Sequence, residues 1–339
     1  MNAMGGHVRA GERRFAVFLA LSLFSLPIAV QADVNQQGTA PLALNKEKSA
    51  ATISVTSEMV VLHATVRDRE GRFVSGLQKQ DFRVYEDNQL QRIELFQHED
   101  VPIAVGLVVD NSGSMQRKQS DVAAAALAFV RSSNPVDEMF VVNFNENVTF
   151  GLPDTELFSA KPSELSAALM GVPARGETAL YDAIETALTH LQKASRDKKG
   201  LIVISDGGDN ASKHTLKQVL QTAGRSDVTI YTIGLFDEYD TDRNPRVLKQ
   251  IACATGGEAF IPEQTSAVVK ICKGIAEDIR NQYTIGYAPT NETLDGSYRT
   301  IKVTATGPHG AKLLVRTRAG YIASPERKTT AAGSQGGVR

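Results

Sequence analysis

Asp110-Asn-Ser112-Gly-Ser114 places one carboxylate and two hydroxyls within a single short loop, directly after the apolar run 103–109. Ser205-Asp206-Gly-Gly-Asp209 follows a second apolar run, 201–204, and Gly176-Glu-Thr178 precedes a helical pattern that begins near Ala179. If these three loops converge, they offer only oxygen: Asp110, Ser112, Ser114, Thr178 and Asp206. Oxygen-only sets select hard cations. Two carboxylates with three hydroxyls suit Mg2+ first, with Mn2+ or Ca2+ as alternatives, whereas Zn2+ favours nitrogen and sulfur. The carboxylates roughly neutralise such an ion, and the neutral hydroxyls leave room in its shell for water or for an Asp or Glu from another molecule. The plainer reading of Asp-x-Ser-x-Ser alone is a helix start whose Asp or Ser caps backbone N–H groups. Asp209 reads first as a surface turn residue and second as an auxiliary acid, and Asp182 either steadies the loops or complements a helix dipole.

Other chemistry finds little support. The histidines at 7, 63, 98, 190, 214 and 309 show no His-Glu-x-x-His spacing. There is no Gly-x-Ser-x-Gly elbow and no phosphate-binding Gly-x-x-x-x-Gly-Lys-Ser/Thr loop. A metal-assisted hydrolase or phosphotransferase needs cations converging on the ion, and the site loops supply only Arg117, Lys118 and Arg175, which read as solvated surface charges. Cys253 and Cys272 lie outside any Cys-x-x-Cys spacing; in an exported chain the expectation is a disulfide, with two separate buried thiols as the alternative. The Asn-x-Ser/Thr matches at Asn147, Asn210 and Asn291 matter only in a host that glycosylates secreted proteins.

The elements that must position these residues follow from composition and period. The chain has 339 residues, 42% of them hydrophobic, which suits about two domains. Its 37 basic and 38 acidic side chains leave a formal charge of −1, without the basic excess that nucleic-acid binding leaves in a sequence. Arg9, Arg13 and Arg14 precede the apolar run 15–30 and a small-residue exit at Ala32, so residues 1–32 read as a secretory signal cleaved after Ala32, with an uncleaved anchor as the alternative. No later run could span a bilayer as a helix. The expected location is secreted or periplasmic.

Residues 33–51 lack hydrophobic period and read as a linker. Residues 52–100 alternate apolar and polar positions, the pattern of half-buried strands. From Pro102 the texture changes to strands buried on both faces (103–109, 139–144, 201–204, 228–233, 258–261) alternating with helices (near 122–130, then 179–194, 213–223, 245–254 and 265–281). That alternation predicts an α/β fold with a doubly wound, mostly parallel sheet. Strand patterns return over 282–322, and 323–339 reads as a tail. Each β segment is too small to fold alone, so the two are expected to form one sandwich-like domain with 101–281 inserted between them.

The loop residues resemble the von Willebrand factor A family and its metal-ion-dependent adhesion site, written Asp-x-Ser-x-Ser, a distant Thr and a distant Asp. Asp110, Ser112, Ser114, Thr178 in Arg-Gly-Glu-Thr-Ala-Leu and Asp206 in Ile-Ser-Asp-Gly-Gly match that pattern over about residues 101–281. The resemblance implies that Ser112, Ser114 and Thr178 reach the ion through hydroxyls, while Asp110 and Asp206 often act through water. It also implies a non-enzymatic binding module whose protein or matrix partner presents an Asp or Glu. Asp81-Phe-x-Val and Arg318-Ala-Gly-Tyr321 resemble flanking strands of bacterial secreted members of the family. A metal-assisted hydrolase or phosphotransferase and a structural envelope protein are the alternatives.

Overall fold

The computed structural model describes residues 59–98, 101–170, 172–236 and 243–324. The expected signal, linker, residues 52–58 and the tail from 325 onward lie outside the described residues. Among the described residues no helix is long and apolar enough to cross a membrane.

The alternating segments at the two ends of the chain interleave. Strands β1 (Val60–Arg67), β2 (Phe82–Glu86), β3 (Gln89–Gln91) and β4 (Ile93–Gln97) come from the front, and β11 (Tyr283–Tyr287), β12 (Tyr298–Ala305), β13 (Leu314–Arg316) and β14 (Gly320–Ile322) from the rear. They form two antiparallel sheets, ordered β13-β1-β11-β4 and β14-β12-β2-β3, each mixing front and rear strands. The sheets share one core in which Leu62, Ala64, Ile285 and Tyr287 of the first meet Phe82, Val84, Ile301 and Tyr321 of the second. Strand β12 shows why: its residues alternate between exposed and buried along the whole length, so one face is apolar and needs a cover. Inside this core Glu86 accepts hydrogen bonds from the hydroxyls of Tyr287 (2.7 Å) and Tyr321 (2.9 Å). Ala323 still belongs to the fold, since its carbonyl accepts the Gly296 N–H at 2.7 Å.

Between β4 and β11 the chain builds the expected α/β block. Its sheet contains β5 (Ile103–Asp110), β6 (Glu138–Phe144), β7 (Val148–Phe150), β8 (Lys198–Ser205), β9 (Val228–Gly234) and β10 (Ala259–Phe260), in the order β10-β9-β8-β5-β6-β7. All pairings are parallel except that of the edge strand β7. All of β5 is buried, as a central strand covered on both faces requires. Helices α1 (Gln119–Ser132), α2 (Pro162–Met170) and α6 (Val268–Arg280) pack together on one face. Helices α3 (Leu180–Leu191), α4 (Leu216–Arg225) and α5 (Pro245–Ala254) pack together on the other. The sequence reading leaves out α2 and β7.

This arrangement corrects the cysteine expectation. Cys253 is an exposed free thiol on α5, and Cys272 is a buried free thiol on α6. The sheet separates the two helices, and burial pushes the Cys272 thiol up to about 12.

A polar seam joins the two β sheets of the flanks to the α/β block. Along β1 the residues of one parity fill the sandwich core, while His63, Thr65 and Arg67 face the block. Asp278 of α6, only 1% exposed, is the hub. It accepts the hydroxyls of Thr65 and Tyr231, each at 2.8 Å, and pairs with Arg316 of β13. Lys198 at the start of β8 donates to the carbonyls of Ile279 and Gln282, both at 3.3 Å. The contacts of Asp278 and Lys198 order a buried polar interface, because an unmatched charge there would be expensive.

Candidate metal centre

The strand order reverses at β5: the chain leaves it toward β6 on one side and later returns to β8 on the other. Open α/β sheets bind ligands beyond the carboxyl ends of strands at such a switch point. Asp110 ends β5 and Ser205 ends β8, so the topology alone sets the two acidic loops side by side.

The contacts across that gap are short. Asp110 accepts the Ser112 N–H through Oδ1 (2.8 Å) and the Ser205 hydroxyl through Oδ2 (2.6 Å). Asp206 accepts the Gly208 N–H at 3.0 Å and, with its other oxygen, the Ser114 hydroxyl at 2.5 Å. The hydroxyls of Ser112 and Ser114 lie 3.1 Å apart. Asp110, Ser112 and Asp206 are buried, while Gly113 and Ser114 are exposed and form the mouth.

Thr178 arrives on a loop fastened to both neighbours. Gly113 N–H donates to Gly176 O (3.1 Å) and Arg175 N–H to Asn111 O (2.9 Å), tying it to the first loop. Asn210 clamps it from the other side: its side chain accepts the Thr178 N–H at 2.8 Å, and its N–H donates to Thr178 O at 3.0 Å. Among the described residues the Thr178 hydroxyl makes no hydrogen bond, which leaves that oxygen unspent.

Two glycines make these loops possible. Gly176 has φ +81°, and a Cβ there would meet the Glu146 carboxylate. Gly207 has φ +79°, and its Cβ would lie 2.5 Å from Asn244 O. Asn244 in turn caps α5 and donates its N–H to Asp206 O at 2.9 Å, so the close approach at Gly207 fixes the second acidic loop.

Electrostatics at the site are unbalanced. Burial pushes the Asp110 carboxyl up to about 6, against the hydrogen bonds from Ser112 and Ser205, and the neighbouring Asp206 adds to the rise. The residues brought together suit a hard divalent cation: two buried carboxylates, the hydroxyls of Ser112 and Ser114 and an open mouth, with the Thr178 loop tied alongside. Among the described residues no group of three or more His, Cys, Asp or Glu side chains converges, so hydroxyls must supply much of any coordination.

The remaining residues singled out by sequence take supporting places. Asp209 accepts the Tyr181 N–H (3.1 Å) and the Ser212 hydroxyl (2.5 Å), at the start of α3. Asp182 accepts the backbone N–H groups of Lys213 and His214 and the His214 ring, which steadies the turn before α4. Lys118 is not a solvated charge: it is buried, and its ammonium donates to Leu235 O at 3.0 Å. Arg117 and Arg175 are exposed. The sequence alone assigns no supporting role to Ser205, to Asn210 or to Asn143, whose amide accepts from Asn111 at 3.1 Å.

The family comparison decides the fold's name, because a model of the von Willebrand factor type A domain matches residues 105–273. This segment is a VWA domain. No curated protein matches the chain. Among solved structures, a von Willebrand factor type A protein from Catenulispora acidiphila is similar at 14% identity and a TM-score of 0.49, covering 80% of this chain and 74% of its own. BatB from Bacteroides thetaiotaomicron is similar at 16% identity and a TM-score of 0.41, over 52% of this chain and 98% of that one. The vWF domain of the type V pili tip protein Mfa5 from Porphyromonas gingivalis is similar at 14% identity and a TM-score of 0.44, over 53% of this chain and 95% of that one. The switch-point site lies within the matched VWA domain.

Proposed function

We propose that this chain is an exported binding protein whose VWA domain engages a protein or matrix partner through a divalent cation. Asp110, Ser112, Ser114, Thr178 and Asp206 would hold the ion, with Mg2+ first and Mn2+ or Ca2+ as alternatives. A bound ion would supply Lewis acidity toward an outside oxygen ligand, and an Asp or Glu of the partner suits the vacancy that a mostly neutral hydroxyl set leaves. The observation that carries this reading is the convergence of the Asp110 and Asp206 loops, linked through Ser205 and Ser114, with the Thr178 loop fastened to the first of them through Gly113 and Arg175.

The chain's own residues divide the work. Ser205 orients Asp110, Ser114 orients Asp206, and Asn210 holds Thr178 through its backbone. This division favours binding over catalysis, since Lys118 is turned to Leu235 O instead of the carboxylates. The interleaved flanking strands support their role as one sandwich domain that carries the VWA domain as an insertion. Residues 1–32 would direct export.

Titration calorimetry of the full mature chain with Mg2+ and Mn2+ tests the site. Stoichiometric binding that Asp110→Ala abolishes is expected. Unchanged affinity in that variant rejects the assignment.

A further inference from the structure

A cleft of about 480 Å³ opens where the sandwich meets the edge of the VWA sheet, and none of the five proposed ion ligands lines it. One wall carries Lys249, Cys253 and Ile261; the other carries Arg67, Leu314 and Arg316. Ile261, just after β10, is 49% exposed and Leu314 of β13 is 62% exposed, so two large apolar side chains lining the cleft remain open to solvent. Lys249 and Cys253 are one turn apart on α5 and share its outer face, because Leu248, Ile251 and Ala252 take the inner one.

The cations of this cleft are unequal. Arg67 and Arg316 are fixed in their wall, each 3.5 Å from Glu258, and Arg316 also pairs with Asp278 and donates to Gly256 O at 2.8 Å. The Lys249 ammonium has no hydrogen bond or ion pair among the described residues. These three cations face two carboxylates, which leaves one positive charge uncompensated, beside an apolar wall. Clefts of this size at the junction of two structural units, apolar with a few fixed polar groups, are the usual form of a small-molecule site.

We propose that this cleft binds a small anionic amphiphile, with its carboxylate head beside Lys249 and Cys253 and its apolar body against Ile261 and Leu314. The chain carries its own reporter for the test. Cys253 is exposed, whereas Cys272 is buried with its thiol pushed up to about 12, so a neutral maleimide labels the native protein at Cys253.

The experiment measures the rate of N-ethylmaleimide labelling of the full chain, located by peptide mass spectrometry, against increasing decanoate below its micelle concentration. Decanoate should slow labelling at least fivefold and saturably, decanol much less, and Lys249→Glu should abolish the protection while its thermal unfolding stays that of the parent. Leu314→Asp on the facing wall should abolish it too. An unchanged rate at high decanoate, equal protection by decanol, or full protection in Lys249→Glu overturns the proposal. Protection by an acidic peptide but not by decanoate overturns it as well and assigns the cleft to a protein segment.

Discussion

Ser205, at the end of one parallel strand, donates a 2.6 Å hydrogen bond to Asp110 at the end of the next. Neither hydroxyl nor carboxylate is free to turn, because Ser205 is fully buried and Asp110 also accepts the Ser112 N–H. Groups that orient a metal ligand typically change affinity by about 10- to 100-fold when removed. Ser205→Ala should therefore weaken Mg2+ binding by about that factor in calorimetry. An unchanged affinity would show that Asp110 needs no such support.

Gly207 offers a backbone test of the same site. Gly207→Ala combines a left-handed φ of +79° with a Cβ 2.5 Å from Asn244 O. It should destabilise the protein by about 1–3 kcal/mol and lower ion affinity. Gly296→Ala, at φ +74° but with nothing within 4 Å of the added carbon, is the control and should spare the ion. Denaturant melts and calorimetry on both variants separate strain from displacement of the loop.

Asp278 should dominate the seam. Its removal strands Arg316 and the hydroxyls of Thr65 and Tyr231. Breaking a buried charged cluster from one side costs about 3–5 kcal/mol, so Asp278→Ala should lose that much in urea unfolding. Thr65→Val should lose only about 1 kcal/mol, the worth of one hydrogen bond.

His63 sets an acid limit. Burial first, and then the charge of Lys198, lower its ring from 6.5 to about 3, and its Nε2 has no hydrogen-bond partner among the described residues. The neutral ring is favoured in the folded state, so its contribution is complete above pH 6.5 and is lost as pH falls toward 3. Across that window the parent should lose up to about 1.4 kcal/mol per pH unit relative to His63→Asn. Urea titrations at pH 7.5, 6 and 5 measure the divergence; parallel curves would place the acid sensitivity elsewhere.

The flanks should also depend on each other. Removal of residues 282–339 takes away the partners of β1, β2 and β4. Amides of 60–67 should then lose hydrogen-exchange protection; full protection without the rear strands rejects the shared sandwich.

Much of this was legible in the sequence where one residue property forces one outcome. Runs such as 103–109 had to be strands covered on both faces, and the oxygen-bearing loops had to follow them. Less was legible where meaning depends on distant partners. Asp278 looks like any charged helical residue until Thr65, far away in the chain, is placed against it. Strand β7 has only three residues and α2 only nine, too short for a periodic signal. The cysteines misled because nearness along the chain says nothing of a sheet standing between two helices. Lys118 misled because only the fold supplies Leu235 O to receive it.

The VWA domain hangs from two neighbouring strands. β4 leads into it and β11 leads out, and the two pair at Gln97 and Thr284. Both connections lie at the pole opposite the switch-point loops, near the Lys198 contacts with Ile279 and Gln282. A load on the VWA domain would therefore enter the sandwich along two strands at once. Tension would be shared between β4 and β11, and β1 holds β11 on its other side, so the mount is a double-stranded handle instead of a single thread.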